Sequence, residues 1–194
     1  DTSGNSNDGT LQGGPNSTSG QHNEALAFDG VNDRVVLPNI DVEGEALTIS
    51  MWARSDDLDN CGIYKDCRLI SKATGIQTPD HYFMVSTIRT GSGAGLRFRL
   101  KTDGTTDTLL SNNYIIYEGQ WFHMAAVYDG STMKIYKDGV LVGSQNKTGT
   151  LDTNSSVGVM VGDNPVDARF WDGAIDDVRV FQKALSASEI QELL

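Results

Sequence analysis

Two stretches near opposite ends of the chain place Asp beside Gly. Asp29-Gly30 is followed by Asn32 and Asp33, and Asp172-Gly173 is followed by Asp176. Carboxylates together with carbonyls aimed by a glycine bend are hard oxygen donors, and a calcium ion takes about six to eight of them. Early and late strands that both carry such a bend suggest a fold whose ends meet around a cation. The competing reading is that these Asp residues only cap turns and pair with Arg34 or Arg179. The oxygen-rich run DTSGNSNDG at Asp1–Gly9 lacks the spacing and terminal Glu of an EF-hand loop.

A second chemistry lies in LRFRLK. Strand alternation puts Leu96, Phe98 and Leu100 inward and Arg97, Arg99 and Lys101 outward. A row of same-face cations, with His81 and Arg68 as neighbours, could grip the carboxylates or sulfates of an acidic polysaccharide. The alternative is an ordinary solvated sheet face.

The third is aromatic. Exposed aromatic faces stack on the C–H faces of sugar rings. Tyr64, Tyr82, Tyr114, Tyr117 and Trp171 are the candidates. Trp171 interrupts a polar stretch, DARFWDG, and Tyr64 sits within a cysteine loop. Trp52 and Trp121 are expected in the core, and Phe28, Phe98, Phe122 and Phe181 read as core by alternation.

Catalysis finds little support. The Glu residues are Glu24, Glu43, Glu45, Glu118, Glu189 and Glu192, and none belongs to a Glu-x-Asp-x-Glu pattern. Both hydrolytic mechanisms for glycosides need two acids at a set separation. No nucleophile elbow or phosphate loop is present. His22, His81 and His123 are scattered, and His123 is expected to pack within its strand. His81-Tyr82 with Arg97 and Arg99 could mimic part of a lyase groove.

Cys61 and Cys67, in CGIYKDC, are the only cysteines. No further Cys or His pair supports a zinc site, so a local disulfide and an oxidising compartment are expected. So short a loop adds about 2–3 kcal/mol by the chain-entropy model, enough to shape the loop rather than to hold the fold.

These groups need a scaffold, and the punctuation of the chain supplies it. The 194 residues include 21 Gly and only 4 Pro, which suits one large β-sandwich with many tight turns. Strands are expected at 25–28, 34–36, 47–54, 68–72, 82–88, 95–101, 108–111, 121–129, 132–137, 140–145, 157–161 and 174–181, preceded by an ordered loop over Asp1–Gln21 in which a short strand could form near Thr10–Leu11. In the last strand, Ile175, Asp177, Arg179 and Phe181 should share one face and Asp176, Val178 and Val180 the other. Asp-Gly turns fall at Lys137–Val140 and Thr102–Thr105. A helix should start at Ser186, where Glu189 completes a capping box.

The net charge is −11, carried mostly by Asp, which speaks against nucleic acid as a partner. No run of about 18 apolar residues suggests membrane insertion.

FDGVNDRVVL, LTISMWARS, GQWFHMAAVYDGSTMKIYKDGVLVGS and GAIDDVRVFQKALSASEI occur in that order. Together they resemble the laminin G-like, concanavalin A-like domains of secreted bacterial proteins, over nearly the whole chain. The resemblance implies an all-β jelly-roll sandwich of two antiparallel sheets with a short C-terminal helix, forming one domain over 1–194. In related sandwiches a structural calcium joins the first and last strands, which here would use Asp29, Gly30 and Asp176. Such domains usually begin a strand or so earlier, so this chain looks like a piece of a larger multidomain protein. The resemblance further implies a secreted or cell-surface, non-catalytic module that binds a polysaccharide or glycan. On that view Tyr64, Arg68, Tyr82, Arg97, Arg99 and Trp171 would touch ligand. A protein-interaction or adhesion domain is the alternative, and a polysaccharide lyase or hydrolase the third possibility.

Overall fold

The computed structural model describes residues 1–60, 66–90, 93–113, 115–166 and 168–194. Among them, the strands in chain order are β1 (Thr10–Gln12), β2 (Asn16–Ser19), β3 (Glu24–Asp29), β4 (Arg34–Leu37), β5 (Leu47–Ser55), β6 (Arg68–Ala73) and β7 (His81–Thr90). They continue as β8 (Gly93–Thr102), β9 (Thr105–Leu110), β10 (Trp121–Tyr128), β11 (Thr132–Lys137), β12 (Val140–Asn146), β13 (Val159–Val161) and β14 (Asp172–Phe181), followed by the helix α1 (Ala187–Gln191). Two antiparallel sheets result. Sheet 1 has the order β1-β4-β13-β6-β7-β8-β9, and sheet 2 the order β12-β11-β10-β5-β14-β3-β2. β2, expected as loop, extends the edge of sheet 2 with polar residues that carry no alternation signal.

Alternation builds the layer between the sheets. Leu47, Ile49, Met51 and Ala53 from β5 and Phe122, Met124 and Ala126 from β10 face Val85, Leu96, Phe98 and Leu100 of sheet 1. Burial of this apolar surface is the main force holding the sheets together. The Asp-Gly turns form as expected, with Asp138 and Gly139, and Asp103 and Gly104, all at positive φ. Such primed turns match the twist of the strands they join. Ser186 caps α1 through the Glu189 amide, and the Glu189 carboxylate returns to the Ser186 amide. Ile190 of this helix covers Ala125 and Val127 on the outer face of sheet 2.

Three expectations need correction. Trp171 is not presented to solvent but fully buried in the main core. Its amide donates to the Gly162 carbonyl at 2.8 Å and its carbonyl accepts from the Gly30 amide, so backbone pairing draws the polar-flanked indole inside. Trp52 and Trp121 lie instead on the outer face of sheet 2 and are partly exposed. The regular alternation of β14 also fails. Ile175 pairs with Ala53 and Asp176 with Trp52, but Arg179 pairs with Ser50 and Val180 with Ile49. The extra residue is a β-bulge, with Asp177 at φ 49°, so Val178 and Val180 turn inward beside Ile175.

Candidate functional site

The outer face of sheet 1 collects the cations that the sequence places in a row. Arg68, Ser86 and Arg97 align across β6, β7 and β8, and Met84, Arg99 and Thr108 form the next rank across β7, β8 and β9. Arg97 points outward as expected, yet it is not solvated: its residue is 5% exposed and Arg68 1%. The loop after β13 folds over this face. Asn164 accepts from the Ser71 hydroxyl at 3.0 Å, and the Arg169 carbonyl accepts from the Arg68 amide at 3.0 Å.

One carboxylate organises the cluster. Asp66 Oδ1 accepts from Arg68, Asp66 Oδ2 accepts from Arg97, and the Arg169 Nη1 lies 3.3 Å from the same Oδ2. Arg97 Nε also donates to the Ser86 hydroxyl at 3.2 Å, and Arg99 Nε to Thr108 at 3.3 Å. Among the described residues, three guanidinium groups therefore share one carboxylate, and a fourth, that of Arg99, stands one rank away. Burial alone would raise the Asp66 carboxyl, but Arg68 and Arg97 outweigh it and hold it below its ordinary value. Burial, and then repulsion from neighbouring guanidiniums, holds Arg68 and Arg99 down to about 10. Excess positive charge in a poorly solvated place is the electrostatic signature of an anion site.

His81 completes the face. Its Nδ1 donates to the Gln77 carbonyl at 2.8 Å, leaving Nε2, 3.5 Å from Arg68 Nη2, as an acceptor. Burial and then Arg68 and Arg99 push its pKa to about 4, so it is neutral near pH 7. Arg68 Nε and Asn164 Nδ2 are buried donors with no hydrogen-bond acceptor. Such donors are costly to leave unmade. Tyr82 sits at the start of β7, with its hydroxyl accepting from Asn154 at 2.9 Å and Lys101 Nζ 5.2 Å from its ring centroid.

Sequence reasoning found Arg68, Arg97 and Arg99 but missed Asp66 and Arg169. Their pairing spans a separation of 103 residues, which no local pattern reports. Cys61, Tyr64 and Tyr114 lie outside the described residues. Cys67 is fully buried beside Leu58, immediately after Asp66.

The proposed calcium ligands do not form one donor set. Asp29 pairs with Asp172 at one end of the β3–β14 ladder, whereas Asp176 lies four residues further on, opposite Trp52. Asp29 Oδ1 caps the Val31 and Asn32 amides, and the Val31 amide is the main reason its pKa is lowered. Asp176 Oδ2 accepts from the amides of Gln21 and His22, both at 2.8 Å. Gly30, at φ 70°, is needed for space: a Cβ there would meet the Asn60 and Asp172 side chains. Arg34 pairs with Asp163 and Arg179 with Asp177, not with Asp29 or Asp176.

A groove of about 860 Å³ lies elsewhere, at the sandwich edge between Leu26, Phe28, Val35, Ile175 and the N-terminal residues. Its apolar walls are interrupted by Glu24, Asp176, Asp177 and Arg179, and none of the guanidinium-face arginines lines it.

Two stacked antiparallel sheets with the chain crossing between them define a lectin-like jelly roll. The chain belongs to the laminin G family of the concanavalin A-like lectin/glucanases superfamily, whose model matches residues 29–191. It is 31% identical to mouse pappalysin-1 over 130 residues and 30% identical to the human protein over 132. These matches take in 61% and 63% of this chain but only 8% of each relative. Among solved structures it resembles domain 4 of a GH43 extracellular arabinanase from Geobacillus stearothermophilus, solved with arabinotriose. That match has a TM-score of 0.72, 20% identity, and covers 95% of this chain and 87% of the other. The binding domain of Paraclostridial mosquitocidal protein 1 gives a TM-score of 0.73 at 17% identity, over 100% of this chain and 48% of the other. These likenesses concern the fold. Among the described residues no helix is long and apolar enough to cross a membrane.

Proposed function

We propose that this domain is a non-catalytic carbohydrate-binding module whose guanidinium face takes an acidic glycan. The observation that carries this is the gathering of Arg68, Arg97 and Arg169 on Asp66, with Arg99 in the next rank, on a chain of net charge −11. A sugar carboxylate or sulfate entering beside Arg99 would relieve the repulsion among these groups. It would also accept from planar N–H pairs suited to two-point contact. The arabinotriose complex of the arabinanase domain supports a sugar ligand for this fold, without identifying one here. Such a module would serve an extracellular polysaccharide-acting enzyme or a surface protein.

The test is retention on immobilised polygalacturonate and dextran sulfate. Retention should weaken as salt rises, because partly solvated charge pairs are screened. Arg99→Ala should reduce it at least fivefold while leaving the melting temperature nearly unchanged, since Arg99 is half-buried and does not bond Asp66. Equal retention of wild type and variant would overturn the assignment to this face.

An oxidised Cys61–Cys67 pair would fix the loop that leads into Asp66, and we expect it to be present. Labelling of the denatured, unreduced protein with a maleimide should then find close to zero thiols. Two thiols per chain would refute the bridge.

A further inference from the structure

We propose that the outer face of sheet 2 carries a second carbohydrate site, one that takes an uncharged sugar ring. Helix α1 packs on Ala125, Val127 and Tyr136, whereas elsewhere on the face Trp121 of β10 and Trp52 and Arg54 of β5 are partly exposed around a buried His123. Both indoles are partly exposed on an outer face of the sandwich.

The aromatic groups form a row across the strands. Trp52 stands edge-on between His123, at 5.4 Å, and His22, at 6.2 Å between ring centroids. Arg54 lies 5.5 Å from the centroid of Trp121. An indole face of this kind attracts the weakly positive C–H groups of a pyranose or furanose ring. Trp52 Nε1 and His123 Nδ1 are buried beneath the row with no hydrogen-bond partner.

Polar groups able to hold hydroxyls stand next to it. The β14 bulge puts Asp177 at φ 49°, a left-handed conformation that a non-glycine residue adopts only under strain. Its carboxylate binds the Arg179 guanidinium through two contacts, at 2.8 and 2.7 Å. The register sets Asp176 opposite Trp52 and Arg179 opposite Ser50, on the same face of sheet 2 as the row. Bulges of this kind re-aim side chains beside functional sites.

Charge balance selects the ligand. Arg54 is bidentate to Asp56, at 2.9 and 3.0 Å, and Arg179 is held by Asp177. Each guanidinium has its own carboxylate, in contrast to the three that share Asp66. A patch with paired charges gains nothing from an anion. It retains carboxylate lone pairs and guanidinium N–H groups that can serve the vicinal hydroxyls of a neutral sugar.

The test is calorimetric titration of the intact chain with cellohexaose, xylohexaose and arabinohexaose, repeated in the presence of excess polygalacturonate. At least one neutral oligosaccharide should bind, and polygalacturonate should not displace it. Trp52→Ala and Trp121→Ala should each weaken that binding at least tenfold. Failure of all three sugars to bind, displacement by polygalacturonate, or unchanged affinity in both variants would overturn the second site. None of these results depends on whether the guanidinium face binds an acidic glycan. Should the alanine variants not fold, protection of the two outer indoles from N-bromosuccinimide in the wild type decides instead. The bound sugar should slow their oxidation, and an unchanged rate would overturn the proposal.

Discussion

Asp66→Ala is expected to destabilise the domain by about 3–5 kcal/mol, the usual cost of stripping the counter-charge from a buried ion cluster. Asp66 is 5% exposed and serves Arg68, Arg97 and Arg169, themselves 1%, 5% and 6% exposed. Without it, the buried Arg68 and Arg97 guanidiniums would lose the carboxylate that each of them pairs with. For a domain of this size the loss corresponds to a fall of roughly 6–20 °C in Tm. Asp66→Asn should recover part of the hydrogen bonding but not the charge, and so fall between the two. Thermal unfolding followed by circular dichroism reads the effect. A fall of less than 2 °C for Asp66→Ala would show that the cluster is stable without its carboxylate. The same experiment in phosphate buffer carries extra information: an anion that replaces Asp66 should restore part of the loss through binding to the folded state.

Mild acid should also weaken the fold. His81 and His123 are 0% and 1% exposed, and both have a pKa lowered from 6.5 to about 4. Burial is the largest cause for each. Arg68 and Arg99 add to it at His81, while Asp138 and Asp177 partly oppose it at His123. Above pH 6.5 neither state binds a proton at these residues and they leave stability unchanged. Between pH 6.5 and about 4 the unfolded chain takes up protons that the folded one refuses, so stability falls with pH. At 1.36 kcal/mol per unit, each histidine removes roughly 3 kcal/mol across this window. Asp33, Asp163 and Asp172, whose pKa values burial raises, act in the opposite direction above pH 3.8. The two histidines should dominate, giving a fall of about 10 °C in Tm between pH 7 and 4.5. The double variant His81→Gln, His123→Gln should show a much flatter profile. A wild-type Tm constant over this range would refute the assignment.

The two faces of the sandwich explain where sequence reading succeeds and where it stops. LRFRLK announces its own orientation, because a period of two leaves only one way to bury Leu96, Phe98 and Leu100. The same rule, applied to LTISMWAR and WFHM, places Trp52 in phase with Ser50 and Arg54, and Trp121 in phase with His123, all outside the core. Alternation therefore points these two indoles outward, against the core placement that their family-like strands imply. Trp171 gave no such signal. It lies just before β14, where alternation has not begun, and it is buried because Gly162 and Gly30 hold its backbone between the sheets. The β14 bulge was equally silent, since an inserted residue shows only against the register of β5.

By itself the sequence determined the all-β class, the Asp-Gly turns, the capped helix, the family and the cationic row. Each depends on local periodicity or on a few adjacent residues, and local sterics and caps decide such features. Only the tertiary structure decided that Arg97 of the cationic row is buried with Arg68 against Asp66, that Asp29 and Asp176 stand apart, and which tryptophans face out. These outcomes depend on partners joined through non-adjacent strands and long loops. Asp66 meets Arg169 because one loop folds over a sheet assembled from strands far apart in the chain, and the energy of that meeting exists only once water has been excluded from it.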